Sequence, residues 1–388
     1  MRTLRLACAF LAAAAPSAAR AACDTNNTFT FDWNSQAAGS QAYGTTYNYS
    51  APNGFTAPNP LAATRAFTVR ATQNGLATTT VNGLVMPYVG ANNEATTGAG
   101  QFTYTIGGRL SARTASIGGA TNIAAATITF PAPVRDLTFR LHDIDFSNNA
   151  YRDWVRIRGF NGATTYTPTF TKPAASTVRI GPSATAPAIG AGELLGTSIS
   201  DANQDVGTVV VTFPQPVTSV EVRYGNYPLQ AGETTTGQQW ISIHDLSFCP
   251  MPNVAVTKTS TVFETTGVNR FKVPGADVVY TITVSNTGGS PVDLNGLTLA
   301  DSLPTRTTFY NGDYDGVGAG TAAFGFDAGA SGVAMPTAAL SFSNNAGSTY
   351  VYSPASGYDA AINAIRFAPT GSMAANSSFS VSFRARIN

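Results

Sequence analysis

The chain has 388 residues, of which charged side chains make up only 11%, and its formal net charge is +1. So neutral a chain carries no basic field with which to attract nucleic acid and no polybasic segment for anionic lipid, which excludes nucleic-acid binding as a class of function. Its 37 glycines and 22 prolines, with abundant Thr, Ser, Ala and Asn, fit an exported all-β protein rather than a helical enzyme.

The first predicted element is not part of a fold. Arg2 and Arg5 form a short basic region, Leu6 to Ala15 an apolar core, and Ala19-Arg20-Ala21 a small-x-small cleavage site, so residues 1–21 read as a secretory signal peptide. A secreted or cell-surface protein is expected. After that signal no stretch approaches the roughly 18 apolar residues of a membrane helix, so no membrane span is expected. Cys8 leaves with the signal, and Cys23 and Cys249 remain. An even pair of cysteines in an exported chain implies a disulfide, here one that encloses the whole first domain. The competing fate of Cys23 is acylation as a lipoprotein. Arg20 stands where such signals place Leu, and a lipidated Cys23 would leave Cys249 unpaired.

Residues 22–249 form the first predicted domain. Thr28-Phe29-Thr30-Phe31, Ala66-Phe67-Thr68-Val69, Gln101 to Ile106 and Ala126 to Phe130 alternate apolar with polar residues between turns. That period of two, rich in Thr, Val, Ile and aromatics, predicts half-buried antiparallel strands, and so many short ones predict a jelly-roll-like β-sandwich. Ile128-Thr129-Phe130-Pro131-Ala132-Pro133-Val134 is echoed by Val211-Thr212-Phe213-Pro214-Gln215-Pro216-Val217, which reads as two related hairpins around proline-rich turns.

Both histidines of the chain precede an aspartate, in Leu141-His142-Asp143-Ile144-Asp145-Phe146 and Ile243-His244-Asp245-Leu246-Ser247-Phe248. The inward parity slips at each step. One extra residue would restore the phase, which predicts a β-bulge at each His-Asp, a device common near sites and sheet rims. Asp143, Asp145 and Asp153 lie within one strand-turn-strand unit, and Asn148 and Asn149 add amide oxygens. Such oxygens suit a structural calcium ion; the plainer alternative is that the aspartates cap a turn through backbone N–H groups. The wording Asp-Ile-Asp before a loop and Ile-x-Asp-Leu-x-Phe near a domain end resembles exported jelly-roll modules of the carbohydrate-binding type, which implies a glycan partner and, in some members, bound calcium. In Asp153-Trp154-Val155-Arg156-Ile157-Arg158, inward Val155 and Ile157 would place Trp154, Arg156 and Arg158 together on the outer face. A ring flanked by arginines suits sugar stacking or anionic glycans, and a Trp covered by its own arginines is the alternative.

Pro250-Met251-Pro252 reads as a linker (residues 250–252), because two prolines forbid a regular ladder. Residues 253–388 form a second domain. Its segment Val273-Pro274-Gly275-Ala276-Asp277-Val278-Val279-Tyr280-Thr281-Ile282-Thr283-Val284-Ser285-Asn286-Thr287-Gly288, followed by Leu297-Thr298-Leu299-Ala300-Asp301-Ser302-Leu303-Pro304, resembles the bacterial surface-protein repeat known as domain of unknown function 11. The resemblance implies an immunoglobulin-like sandwich without assigned catalysis. Independently of it, Pro274-Gly275 reads as a turn, Tyr280, Ile282 and Val284 as one buried face, and Asn286-Thr287-Gly288 as a strand end. Lys258 lies on the opening strand, where some surface sandwiches form a Lys-Asn isopeptide cross-link, and Asn388 closes the chain. A solvated lysine is the ordinary alternative.

Catalytic motifs are missing. There is no Gly-x-Ser-x-Gly elbow, no His-Glu-x-x-His and no phosphate loop; Asp143 and Asp145 as a glycosidase pair would be matched by almost any strand with two acids. The sequence therefore predicts a non-catalytic structural or adhesive protein of the bacterial surface, with a carbohydrate-binding protein as the alternative, a polysaccharide-acting enzyme as a more distant one, and an extracellular glycan or surface protein as partner.

Overall fold

The computed structural model describes residues 28–52, 65–91, 100–147, 150–201, 204–230, 233, 237–263, 271–317 and 322–388. The signal segment, Cys8, Cys23, Asn148 and Asn149 lie outside these. The described residues are all-β, with short 3-10 turns at Trp33–Ser35 and Thr337–Ala339, and no helix among them is long and apolar enough to cross a membrane. They separate into two compact units, divided between Met251 and Pro252.

The first unit is sandwich-like. One layer runs, in spatial order, Thr46–Ser50, Ala66–Asn74, the first part of Ile123–His142, Val217–Asn226 and Tyr151–Asn161. The other runs Thr169–Thr171, Val209–Phe213, the last part of Ile123–His142, Gln238–Pro250 and Thr103–Leu110, with Phe29–Phe31 paired to Leu246, Ser247 and Phe248. Alternation does what it promised: Val155, Ile157, Val209, Val211, Phe213, Val220 and Val222 are all fully buried in one core, shared with an aromatic group of Phe31, Trp33, Phe67 and Tyr104.

The 123–142 strand belongs to both layers. Ile123 to Thr129 pair with the 217–226 and 66–74 strands; after a register shift between Thr129 and Val134, the remainder pairs with 238–250 and 209–213. The 209–213 and 217–226 strands lie end to end along it, joined across Pro214-Gln215-Pro216. The echoed segments are therefore corners and not the hairpins expected from sequence. Proline has no N–H to continue a ladder, so at each Pro-x-Pro the chain leaves one layer and enters the other while keeping its direction. Pro250 likewise ends a strand, opposite Val134, instead of lying beyond it.

In the second unit a six-stranded sheet takes Val254–Val262, Asp277–Asn286 and Ser377–Ile387 in order, then Thr307–Asn311 and Gly357–Asp359, with Phe324–Asp327 also paired to the 377–387 strand. A three-stranded sheet orders Leu299–Ser302, Ala364–Phe367 and Leu340–Ser343. Between them lies a core that includes Ile282, Val284, Phe309, Phe367, Val381 and Phe383. Pro274-Gly275 makes the expected turn: Ala276 N–H donates to the Val273 carbonyl at 3.0 Å, and Gly275 takes a φ of +89° that suits glycine at this position. Asn286 ends its strand with every polar atom engaged. Its Oδ1 accepts from the N–H groups of Asn253 and Gly288, and its Nδ2 donates to the carbonyls of Ser290 and Ala374.

Candidate functional site

The two His-Asp steps, distant in sequence, meet in the second layer of the first unit. His142 ends its strand opposite Ser242, and the His142 and His244 rings pack edge to face with centroids 5.3 Å apart. Between Phe139 and Leu141 the facing 238–250 strand carries one residue more than its partner, which places a bulge at His244-Asp245. The first step does not have the bulge expected from sequence: the strand simply stops at His142, and Asp143 turns with a φ of +64°. A bulge near Asp136 (φ +52°), on the 123–142 strand, offsets the one at His244-Asp245.

Both rings are buried. His142 is 1% exposed, and its Nδ1 lies 3.1 Å from Thr208 Oγ1. A hydroxyl belt of Thr103, Thr105 and Ser242 runs beside it, with Thr105 Oγ1 and Ser242 Oγ 2.8 Å apart. Burial, then the neighbouring charges of His244 and Arg140, hold the His142 imidazole down at about 3, with Asp205 opposing. Burial also lowers His244, against the pull of Asp245. His142 is therefore a neutral ring at physiological pH, able to donate one hydrogen bond and accept one but not to carry charge. Asp245 is turned toward the chain start, where its Oδ1 accepts the Trp33 N–H at 3.1 Å.

Two of the three loop aspartates come together. Asp153 is fully buried; its Oδ2 accepts the Asp145 N–H at 3.0 Å and its Oδ1 the Tyr224 hydroxyl at 2.7 Å. Asp145 Oδ2 accepts the Ser200 N–H at 3.1 Å, and its carboxylate also pairs with the Tyr151 hydroxyl. Burial pushes Asp145 up to about 6, and burial with the adjacent Asp145 charge raises Asp153 well above the carboxylate range. These carboxyls face N–H and O–H donors, and among the described residues no three of His, Cys, Asp and Glu group as a metal site would require. Gly196 seals the network: a Cβ there would collide with the Asp145 carbonyl, and its N–H donates to the Asp153 carbonyl at 2.9 Å.

Trp154 is not the solvent-facing ring that strand parity predicts. It is 9% exposed, packs edge-on against Tyr227 at 4.8 Å, and its Nε1 donates to Glu193 Oε2 at 3.0 Å. Parity holds, since Val155 and Ile157 do point to the main core. The outer face, however, carries a smaller core of its own, with Ile117, Ile123, Ile189 and Leu195, supplied by segments that strand parity cannot see. Arg156 and Arg158 are half-buried beside it. Arg156 reaches Glu221 at 3.8 Å, while Arg223 holds Glu221 at 2.6 Å and donates to the Gly118 and Gly119 carbonyls. Replacing Trp154 with Ala should thus act as a core deletion and cost about 3–5 kcal/mol. Thermal melting checks this; an unchanged midpoint would restore the exposed-ring reading.

Sequence reasoning missed the donors Tyr224 and Ser200, and a second cluster, Glu233 between Arg113 (3.2 Å) and Arg152 (3.1 Å). It also misplaced Lys258, which is not solvated: its Nζ lies 2.8 and 2.6 Å from the two carboxylate oxygens of Asp301. Asn388 is not its partner, because Asn388 Oδ1 accepts from Thr308 Oγ1 at 3.0 Å. The one local hint was that Lys258 shares strand parity with Val254, Val256 and Val262. No family model matches the chain, and no curated protein matches it.

Proposed function

We propose that this chain is a non-catalytic structural or adhesive module of the bacterial cell surface or extracellular space, exported by its signal peptide and closed by a Cys23–Cys249 disulfide. One observation carries the reading. His142, His244, Asp145, Asp153 and Trp154, the side chains best suited to chemistry, are buried and engaged in packing or hydrogen bonds within the fold. Groups held this way rigidify a sandwich. The disulfide is supported by the pairing of Phe29 with Phe248, which brings Thr28 Oγ1 within 3.5 Å of the Cys249 sulfur, so that Cys23, five positions upstream, is within chain reach. In this reading the first unit is a jelly-roll-like sandwich and the second an immunoglobulin-like one of the surface-repeat type.

Carbohydrate binding is the second reading, favoured by Arg156 and Arg158, two half-buried arginines on the outer face of one strand. A guanidinium pair there suits an anionic glycan. A glycan array probed with the mature protein, in calcium and in chelator, separates the two. The structural reading expects no selective binding in either buffer. Selective binding abolished by Arg158→Ala would replace it with the glycan reading, and binding that required calcium would return an ion to Asp143. Turnover of a polysaccharide, lost in Asp143→Asn, would overturn both.

A further inference from the structure

We propose that Lys258 and Asp301 are joined in the mature protein by an intramolecular amide bond that clamps the two sheets of the second unit together. The two residues come from the facing edges of different sheets: Lys258 from the 254–262 strand of the six-stranded sheet, Asp301 from the 299–302 strand of the three-stranded one. Both occupy inward slots. Lys258 is registered against Ile282, which pairs in turn with Val381, and Asp301 against the fully buried Ile365.

The pair is arranged head-on. Nζ lies 2.8 Å from Oδ1 and 2.6 Å from Oδ2, so it straddles the carboxyl group at hydrogen-bond distance from both oxygens, and a shift of the amine over the carboxyl face is all that separates the pair from contact with the carbon. The ammonium rests against the Tyr280 ring at 4.5 Å and the Phe383 ring at 5.6 Å, and the two side chains are 19% and 14% exposed. Two charges held this dry recover little of their desolvation cost through attraction alone. The same desolvation pushes the Asp301 carboxyl upward, against the pull of Lys258, which favours the neutral acid that condensation requires. A proton moves from the ammonium to the carboxylate. The freed Nζ lone pair then attacks Cγ, a C–N bond forms, one C–O bond breaks, and the departing oxygen takes its two protons away as water. Nothing is oxidised or reduced, and no further reactant enters.

The test is the intact mass of the mature full-length protein after reduction, followed by tryptic mapping. The expected result is a chain lighter than its sequence mass by one water, loss of tryptic cleavage after Lys258, and a branched peptide containing Lys258 and Asp301. Lys258→Arg, which keeps the charge and the ion pair, should restore the full mass. Asp301→Asn should remain competent, losing one ammonia in place of one water. A full-mass wild-type chain with a linear peptide ending at Lys258 would overturn the proposal and leave an ordinary ion pair. A water deficit that persists in Lys258→Arg would overturn it too, since it would point to a cyclic imide at Asp301-Ser302. Neither reading of the protein's function is at stake in this measurement.

Discussion

Reduction of the mature protein should lower the melting temperature of the first unit by roughly 10–20 °C and leave the second unit unaffected. Cys23 and Cys249 enclose the whole first unit, and in the chain-entropy model a loop of that length is worth about 5 kcal/mol, which in a domain of this size moves the midpoint by roughly 2–4 °C per kcal/mol. The buried Cys249 sulfur follows the strand residues that pair with Phe29 and Phe31. The bond would therefore pin the start of the domain to its last strand, in line with the ladder already there. Non-reducing peptide mapping identifies the linkage, and calorimetry with and without reductant measures its worth. Free thiols at both positions, or an acyl chain on Cys23, would dismiss the disulfide and leave the lipoprotein alternative.

The second large effect is acid sensitivity, and it contains two opposed slopes. Held near 3 when folded, against an ordinary 6.5, His142 binds fewer protons in the folded state than in the unfolded one. Its contribution is intact above pH 6.5 and is lost as pH falls toward 3, amounting to about 3 kcal/mol by pH 4. Asp145 acts the other way. With a folded value raised to about 6 from 3.8, it contributes stability below pH 3.8 that is lost as pH rises through 6, and Asp153, raised by burial and by Asp145, adds to it in the same direction. The wild-type profile between pH 4 and 7 should thus be shallower than that of a variant without His142. In His142→Asn, which can keep the contact with Thr208, acidification from pH 7 to 4 should stabilise the first unit relative to wild type by about 3 kcal/mol, roughly 10 °C in the midpoint. In Asp145→Asn acidification over the same range should instead destabilise the first unit relative to wild type. Melting each variant across that range decides it, each compared with itself at pH 7. Parallel profiles for all three proteins would mean that His142 and Asp145 are solvated and that the buried networks do not exist as described.

Fold class was legible because alternation is local. Thr28 to Phe31, Ala66 to Val69 and Ala126 to Phe130 each announce one buried and one exposed side, and the structure makes strands of all of them. The Pro274-Gly275 turn and the Asn286 strand end are local in the same sense, since the chemistry that makes them lies within a few residues. Slipped parity at His244-Asp245 was legible as a bulge for the same reason.

Everything that depends on a second segment had to wait for the tertiary structure. Pro131-Ala132-Pro133 looks like a hairpin turn until the 209–226 segment is laid along it, because a turn and a layer-crossing corner interrupt the ladder alike and differ only in which strands follow. Parity placed Trp154 outside the main core but could not supply Leu195, Ile189 and Tyr227, the residues that cover it. Asp143, Asp145 and Asp153 are near one another in sequence, but that the Tyr224 hydroxyl donates to Asp153 and the Ser200 N–H to Asp145 is decided by segments far along the chain. Lys258 shares strand parity with Val254, Val256 and Val262, and which anion it meets is settled by the approach of a strand from the other sheet. Periodicity encodes which side of a strand is wet, and it carries no record of what packs against that side, because the partner is brought there by the fold and not by the neighbouring sequence.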